Sequence, residues 1–104
     1  MKVIEEFQKR VDEHGIVLRT KSRLELLRLN DAPIEEVELQ GQAGTIAFIV
    51  EEEPEGSLRV VVQGFLETKL LPSIGVKHVA LDGFRMNADD TLSILRDEEY
   101  YEFD

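Results

Sequence analysis

The stretch TIAFIVEEEPEGSLRVVVQGFL, residues 45–66, decides the fold. Two runs rich in β-branched residues, Thr45 to Glu51 and Leu58 to Leu66, flank Glu52-Glu53-Pro54-Glu55-Gly56-Ser57, a loop of turn formers. Opposing Val50 to Leu58 across this hairpin places Ile46, Phe48, Val50, Leu58, Val60 and Val62 on one face. Ala47, Ile49, Val61 and Phe65 fall on the other face. Strands apolar on both sides predict a central position in a sheet with a covering layer on each side.

Working outward, Val37 and Leu39 alternate with acids before a turn at Gly41 and Gly44, which predicts another strand. Downstream, Asp82-Gly83 between Val79-Ala80-Leu81 and Phe84-Arg85-Met86 is a two-residue hairpin signal. The competing reading makes Gly83 a bulge within one longer strand. A second turn at Ala88-Asp89-Asp90 opposes Met86 to Leu92 and Phe84 to Ile94, and so predicts a β meander. Glu99 to Phe103 reads as a last, edge-type strand, and Leu70-Leu71 as a short helical turn before Pro72.

Upstream, Val3, Ile4, Phe7 and Val11 recur at helical spacing over residues 2–14, with Gly15 as the stop. Ile16 to Thr20 is short and β-branched, hence a strand. Residues 22–30 carry two readings. Ser22 and Glu25 have capping-box spacing for a short helix, whereas Leu24 and Leu26 also alternate as in a strand. The helix is preferred. The expected architecture is α+β: an N-terminal helix, with a second short one, on a mostly antiparallel sheet of five or six strands. A chain of 104 residues without a long linker is read as one domain, residues 1–104.

Charge is distributed unevenly. Residues 1–50 hold nine acids and seven bases, net −2, whereas residues 51–104 hold thirteen and five, net −8. Such a field repels nucleic-acid phosphates and anionic lipid and attracts basic partners. The absence of cysteine removes disulfides, thiolate metal sites and a cysteine nucleophile. Glu5 and Glu6 stand where a secretory signal needs apolar residues, so a cytoplasmic address is expected.

Catalytic signals are sparse. Ser22, Ser57, Ser73 and Ser93 sit in no G-x-S-x-G turn, and His14 and His78 have no paired-histidine spacing. Asn87, Asp89, Thr91, Ser93 and Glu98 match a calcium-loop spacing, but Leu92 stands where the turning glycine belongs. No cofactor or metal is expected, and an enzyme is the weaker reading.

Three functional classes remain. The preferred one is a small acidic protein-binding domain, in the manner of inhibitor and immunity proteins, that occupies a basic surface. Its contact residues would be Glu51, Glu52, Glu53, Glu98, Glu99, Tyr100 and Glu102, where carboxylates steer and an aromatic anchors. The second class is a small enzyme or ligand-binding domain holding an anion at Arg19, Lys21 and Arg23, which project from one side if residues 19–23 are extended. These bases could equally face acids of the same chain. The third is a subunit of a homo-oligomer.

Overall fold

The computed structural model describes residues 2–71 and 74–100. Helix α1 (Val3–Leu18) places Phe7, Val11, Gly15 and Leu18 on its buried stripe, with Glu5 and Glu6 in the first turn where the helix dipole favours acids. The predicted stop at Gly15 and strand at Ile16–Thr20 are corrected: α1 runs through Gly15 to Leu18, and Arg19 and Thr20 form the turn that follows. Leu18 continues the stripe of Phe7 and Val11 and is 4% exposed, while Ile16 and Val17 point outward. One inward anchor per turn suffices for the helix to continue, although the apolar triplet resembles a strand.

After α1, Ser22 caps helix α2 (Arg23–Leu27). Its Oγ accepts from the Glu25 backbone N–H, and the Glu25 carboxylate accepts from the Ser22 N–H, a complete capping box. A 3₁₀ turn (Arg28–Asp31) follows. Leu26 plugs the core, and the Asn30 amide bonds both the carbonyl and the N–H of Val50, at 2.8 and 3.1 Å. Asn30 thereby stands in for a strand neighbour at a point that the first strand does not reach.

Five antiparallel strands form a meander in sequential order: β1 (Glu35–Leu39), β2 (Gln42–Glu52), β3 (Leu58–Leu71), β4 (Ile74–Met86) and β5 (Leu92–Ser93). The fold is α+β, as expected. Gln40 and Gly41, with φ of 50° and 77°, make the two-residue turn between β1 and β2. Gly44 lies within β2 rather than in that turn. Val50 opposes Val60, two residues from the anticipated register, so the face assignment of every side chain is preserved.

Three further expectations are corrected. Asp82-Gly83 is not a turn, because β4 passes straight through it with Gly83 opposite Val61 and no bulge there. The register shift lies instead between Lys69 and Leu71, within β3, which replaces the helical turn expected before Pro72. Residues Asp97–Tyr100 form a 3₁₀ turn rather than strand, and residues 101–104 lie outside the described residues. The turn from β4 to β5 does bring Met86 opposite Leu92, although Ile94 is 88% exposed and lies beyond the end of β5.

The core lies between α1 and one sheet face, where Ile46, Val50, Leu58, Val60, Val62, Leu66 and Phe84 meet Phe7, Val11, Leu18 and Leu26. Gly64 makes the close approach possible, since a Cβ there would stand 2.7 Å from the Phe7 ring and 2.8 Å from Val11. On the opposite face, Leu95 and Tyr100 pack over Gly83 and cover one end. The remainder of that face is open among the described residues, so the expected second covering layer is partial.

Candidate functional site

Register assigns the open face row by row. At one end Glu51, Arg59, Arg85 and Ser93 lie side by side on β2 to β5. The next row is Ile49, Val61 and Gly83, and after it come Ala47, Gln63 and Leu81. Glu36, Thr45, Phe65 and Val79 form the fourth row. Glu38 paired with Ala43, and Glu67 paired with Lys77, close the far end.

The first row is ionic and largely internal. Arg59 Nη2 donates to Glu51 at 2.8 Å, and Arg85 grips Glu53 with two bonds of 2.6 and 3.1 Å. Arg85 also donates to Glu99, which accepts from the backbone N–H and Nε of Arg96 as well. The Arg85 hydrogen bond is the main reason that the Glu99 carboxyl is held at about 2, with Arg96 adding to it. The same guanidinium lowers Glu53, and the two acids together raise Arg85. This cluster fastens residues 94–100 to the sheet.

Of the sequence-derived contact residues, Glu51, Glu53 and Glu99 are therefore neutralised from within, Glu99 at 5% exposure. Glu52 is exposed and, among the described residues, in no ion pair, while Glu98 reaches Arg96 at 3.5 Å on the surface. Tyr100 is half-buried against Gly83, and burial pushes its hydroxyl pKa up. Glu102 lies outside the described residues.

The three candidate anion-binding bases are dispersed because the chain turns, rather than extends, after α1. Arg19 pairs with Asp82 at 2.8 Å, donates to the Gly83 carbonyl at 3.0 Å and lies 5.0 Å from the Phe84 ring centroid. Arg23 ties Asp90 to the carbonyls of Gly56 and Asn87, so it joins the β2–β3 and β4–β5 loops. Lys21 sits 4.0 Å from Glu25. The acids that these bases face belong to their own chain.

In the Asn87–Glu98 segment, Asp89 Oδ1 accepts from the Thr91 N–H and hydroxyl, and Ser93 donates to Asn87. Those bonds are turn bonds, and among the described residues no cluster of three or more His, Cys, Asp or Glu is arranged to hold a metal. His14 meets Glu35 at 3.3 Å and stands edge-on to Phe48 at 5.5 Å between centroids.

Sequence reasoning passed over the other end of the open face. There a groove of about 540 Å³ is lined by Glu36, Glu38, Thr45, Phe65, Glu67 and Lys77. Glu36, Glu38 and Glu67 are exposed and, among the described residues, in no ion pair. Beside them Ala47, Ile49, Phe65 and Leu81 are half-buried and Val79 is 50% exposed. The signals were present as acids alternating with Val37 and Leu39, and as apolar residues on both faces of β2 and β3, but register was needed to combine them. No helix among the described residues is long and apolar enough to cross a membrane. No protein-family model, curated protein or solved structure matches this chain.

Proposed function

We propose that this protein is a small acidic binding domain that occupies a basic surface of a partner protein. One observation carries the reading: five of the seven arginines are engaged with acids of the same chain. The formal charge of −10 is consequently presented by carboxylates that, among the described residues, are in no ion pair, including Glu36, Glu38, Glu52 and Glu67. A field of that sign steers basic partners and repels polyanions. An anion-holding role for Arg19 and Arg23 would first have to break their bonds to Asp82 and Asp90, which weakens that alternative. Self-association is the second reading, favoured by the half-exposed apolar strip of Phe65, Val79 and Leu81.

The test is affinity capture on the immobilised full chain, followed by binding kinetics of each retained protein at two salt concentrations. A basic partner whose association slows as salt rises supports the reading, since exposed charges are screened over about 8 Å at physiological ionic strength. Retained proteins that are acidic, or that associate at a rate indifferent to salt, would sink it.

A further inference from the structure

Resting on that reading, we propose that the open sheet face, from Phe65, Val79 and Leu81 to the rim of Glu36, Glu38 and Glu67, docks a basic amphipathic helix of the partner. Two independent features coincide there. Ala47 on β2, Phe65 on β3 and Val79 and Leu81 on β4, with half-buried Gln63 among them, make a mostly apolar strip across three strands. Three strands at about 4.8 Å spacing are about 10 Å wide, the diameter of one helix with its side chains. α1 covers the other face of β3 and β4, and the 3₁₀ turn after α2 covers that of β2, so the second face of this two-faced apolar sheet is completed by a further such layer.

The rim defines the chemistry of the occupant. Among the described residues that line the groove, three unpaired carboxylates stand against one cation, Lys77, so this lining is net negative. A helix with leucine-like residues on one side and lysine or arginine along its flank would bury the first on Val79 and Phe65 and set the second against the rim. A second copy of this chain is a poor occupant. Its rim would meet either an identical rim or the Arg59–Arg85 end, whose guanidiniums already hold Glu51, Glu53 and Glu99. The chain's own last residues carry Glu102 and Asp104, which would add negative charge to a negative rim.

The probe is a synthetic Lys–Leu amphipathic peptide of about 18 residues, roughly five helical turns, with one Trp. This chain contains no Trp, so the emission reports the peptide alone. The expected result is a saturable blue shift with the wild-type protein. Glu36→Gln/Glu38→Gln/Glu67→Gln, and separately Val79→Asp, should weaken it by about tenfold or more. Glu5→Gln/Asp12→Asn/Glu13→Gln removes the same charge from α1 on the far side and should change affinity by less than about threefold. Circular dichroism confirms that each variant folds.

Failure to bind, or equal binding of a Glu–Leu peptide, would overturn the docking site. So would binding that appears only after residues 101–104 are deleted, or a wild-type dimer in sedimentation that Val79→Asp converts to monomer. If the α1 triple weakens binding as much as the rim triple, the site falls while the broader basic-partner reading stands. If neither triple nor added salt matters, both fall.

Discussion

Asp82 of β4 rests directly against Gly15 of α1. A Cβ at Gly15 would stand 1.7 Å from Asp82 Oδ2 and 2.8 Å from Arg19 Nη1. Asp82 occupies a position on the helix-covered face, between Ala80 and Phe84, where a carboxylate needs a partner. Arg19, one turn beyond Gly15, supplies two bonds, and the missing side chain supplies the room. A glycine suited to ending a helix is instead the notch through which helix and sheet exchange an ion pair.

Gly15→Ala should therefore destabilise the protein by about 1 kcal/mol, although the same change in an ordinary helix interior gains about that much. In an Asp82→Ala background the sign should revert, giving a strong coupling between the two positions. Urea denaturation of the four proteins decides it, and a Gly15→Ala variant more stable than wild type would remove this account of the notch.

How far the sequence could reveal these arrangements depended on the range of each interaction. The Ser22–Glu25 capping box, the loop Pro54 to Gly56 and the pairing of Met86 with Leu92 are local, so residue spacing carried them. Gly15 and Gly83 were misread because both are empty for the sake of a residue distant in sequence, Asp82 in one case and Leu95 with Tyr100 in the other. Arg59 and Arg85 were not connected with the acidic loop because β3 and β4 had first to be aligned, and a hairpin at Asp82-Gly83 would have aligned them differently. For the same reason the acids singled out in the loop and tail proved to be partly structural, while Glu36, Glu38 and Glu67 came together only through pairing.

Gly83 offers a test of that correction. A Cβ there would meet the Val60 carbonyl at 2.5 Å, Leu95 at 3.1 Å and the Tyr100 ring at 3.2 Å. Backbone cannot yield as a side chain tip can, so Gly83→Ala should cost about 1–3 kcal/mol as an overpacked site. Asn, which a left-handed turn tolerates, should do no better than Ala. If Asn is neutral and Ala harmful in thermal or urea unfolding, the residue is in a turn after all.

The acidic loop should divide into structural and free carboxylates. Glu53→Gln removes the charge and one of the two acceptor oxygens that Arg85 grips, and Glu51→Gln removes the charge beside Arg59, whose side chain is 10% exposed. Both variants should lower stability, because each weakens a charge-assisted bond to a largely buried guanidinium. Glu52→Gln should be within about 0.5 kcal/mol of wild type, as for surface sites without special contacts. Equal effects at all three positions would argue against the ionic row.

For the Asn87–Glu98 segment we predict no calcium affinity in the micromolar range. Leu92 is in β5 and Asp89 Oδ1 is occupied by Thr91, so the oxygens of a calcium loop do not converge. Calorimetric titration would detect such binding, and its loss in Asp89→Ala would assign it to this segment and refute the prediction.

Glu99 should leave a distinct mark on stability against pH. Its side chain is 6% exposed and bound by Arg85 and Arg96, and its folded pKa of about 2 lies below an unfolded value of about 4.3. A lowered carboxyl pKa contributes stability that is fully present above the unfolded value and is lost as pH falls through the folded one. Arg85 stays charged throughout, and Glu53, lowered by the same guanidinium, acts in the same direction. Wild-type stability should accordingly decline from about pH 5 towards about pH 2. Glu99→Gln should be less stable at neutral pH and decline less steeply over that window, because it has no carboxyl to protonate at that site. Backbone amides of residues 94–100 should also exchange faster in Glu99→Gln at neutral pH, since Leu95 and Tyr100 are held over Gly83 by this anchor. Urea midpoints across the pH range, with hydrogen exchange on both proteins, test the two consequences separately. Identical pH slopes for wild type and Glu99→Gln would show that the Arg85 cluster does not fasten the C-terminal segment in the way the structure describes.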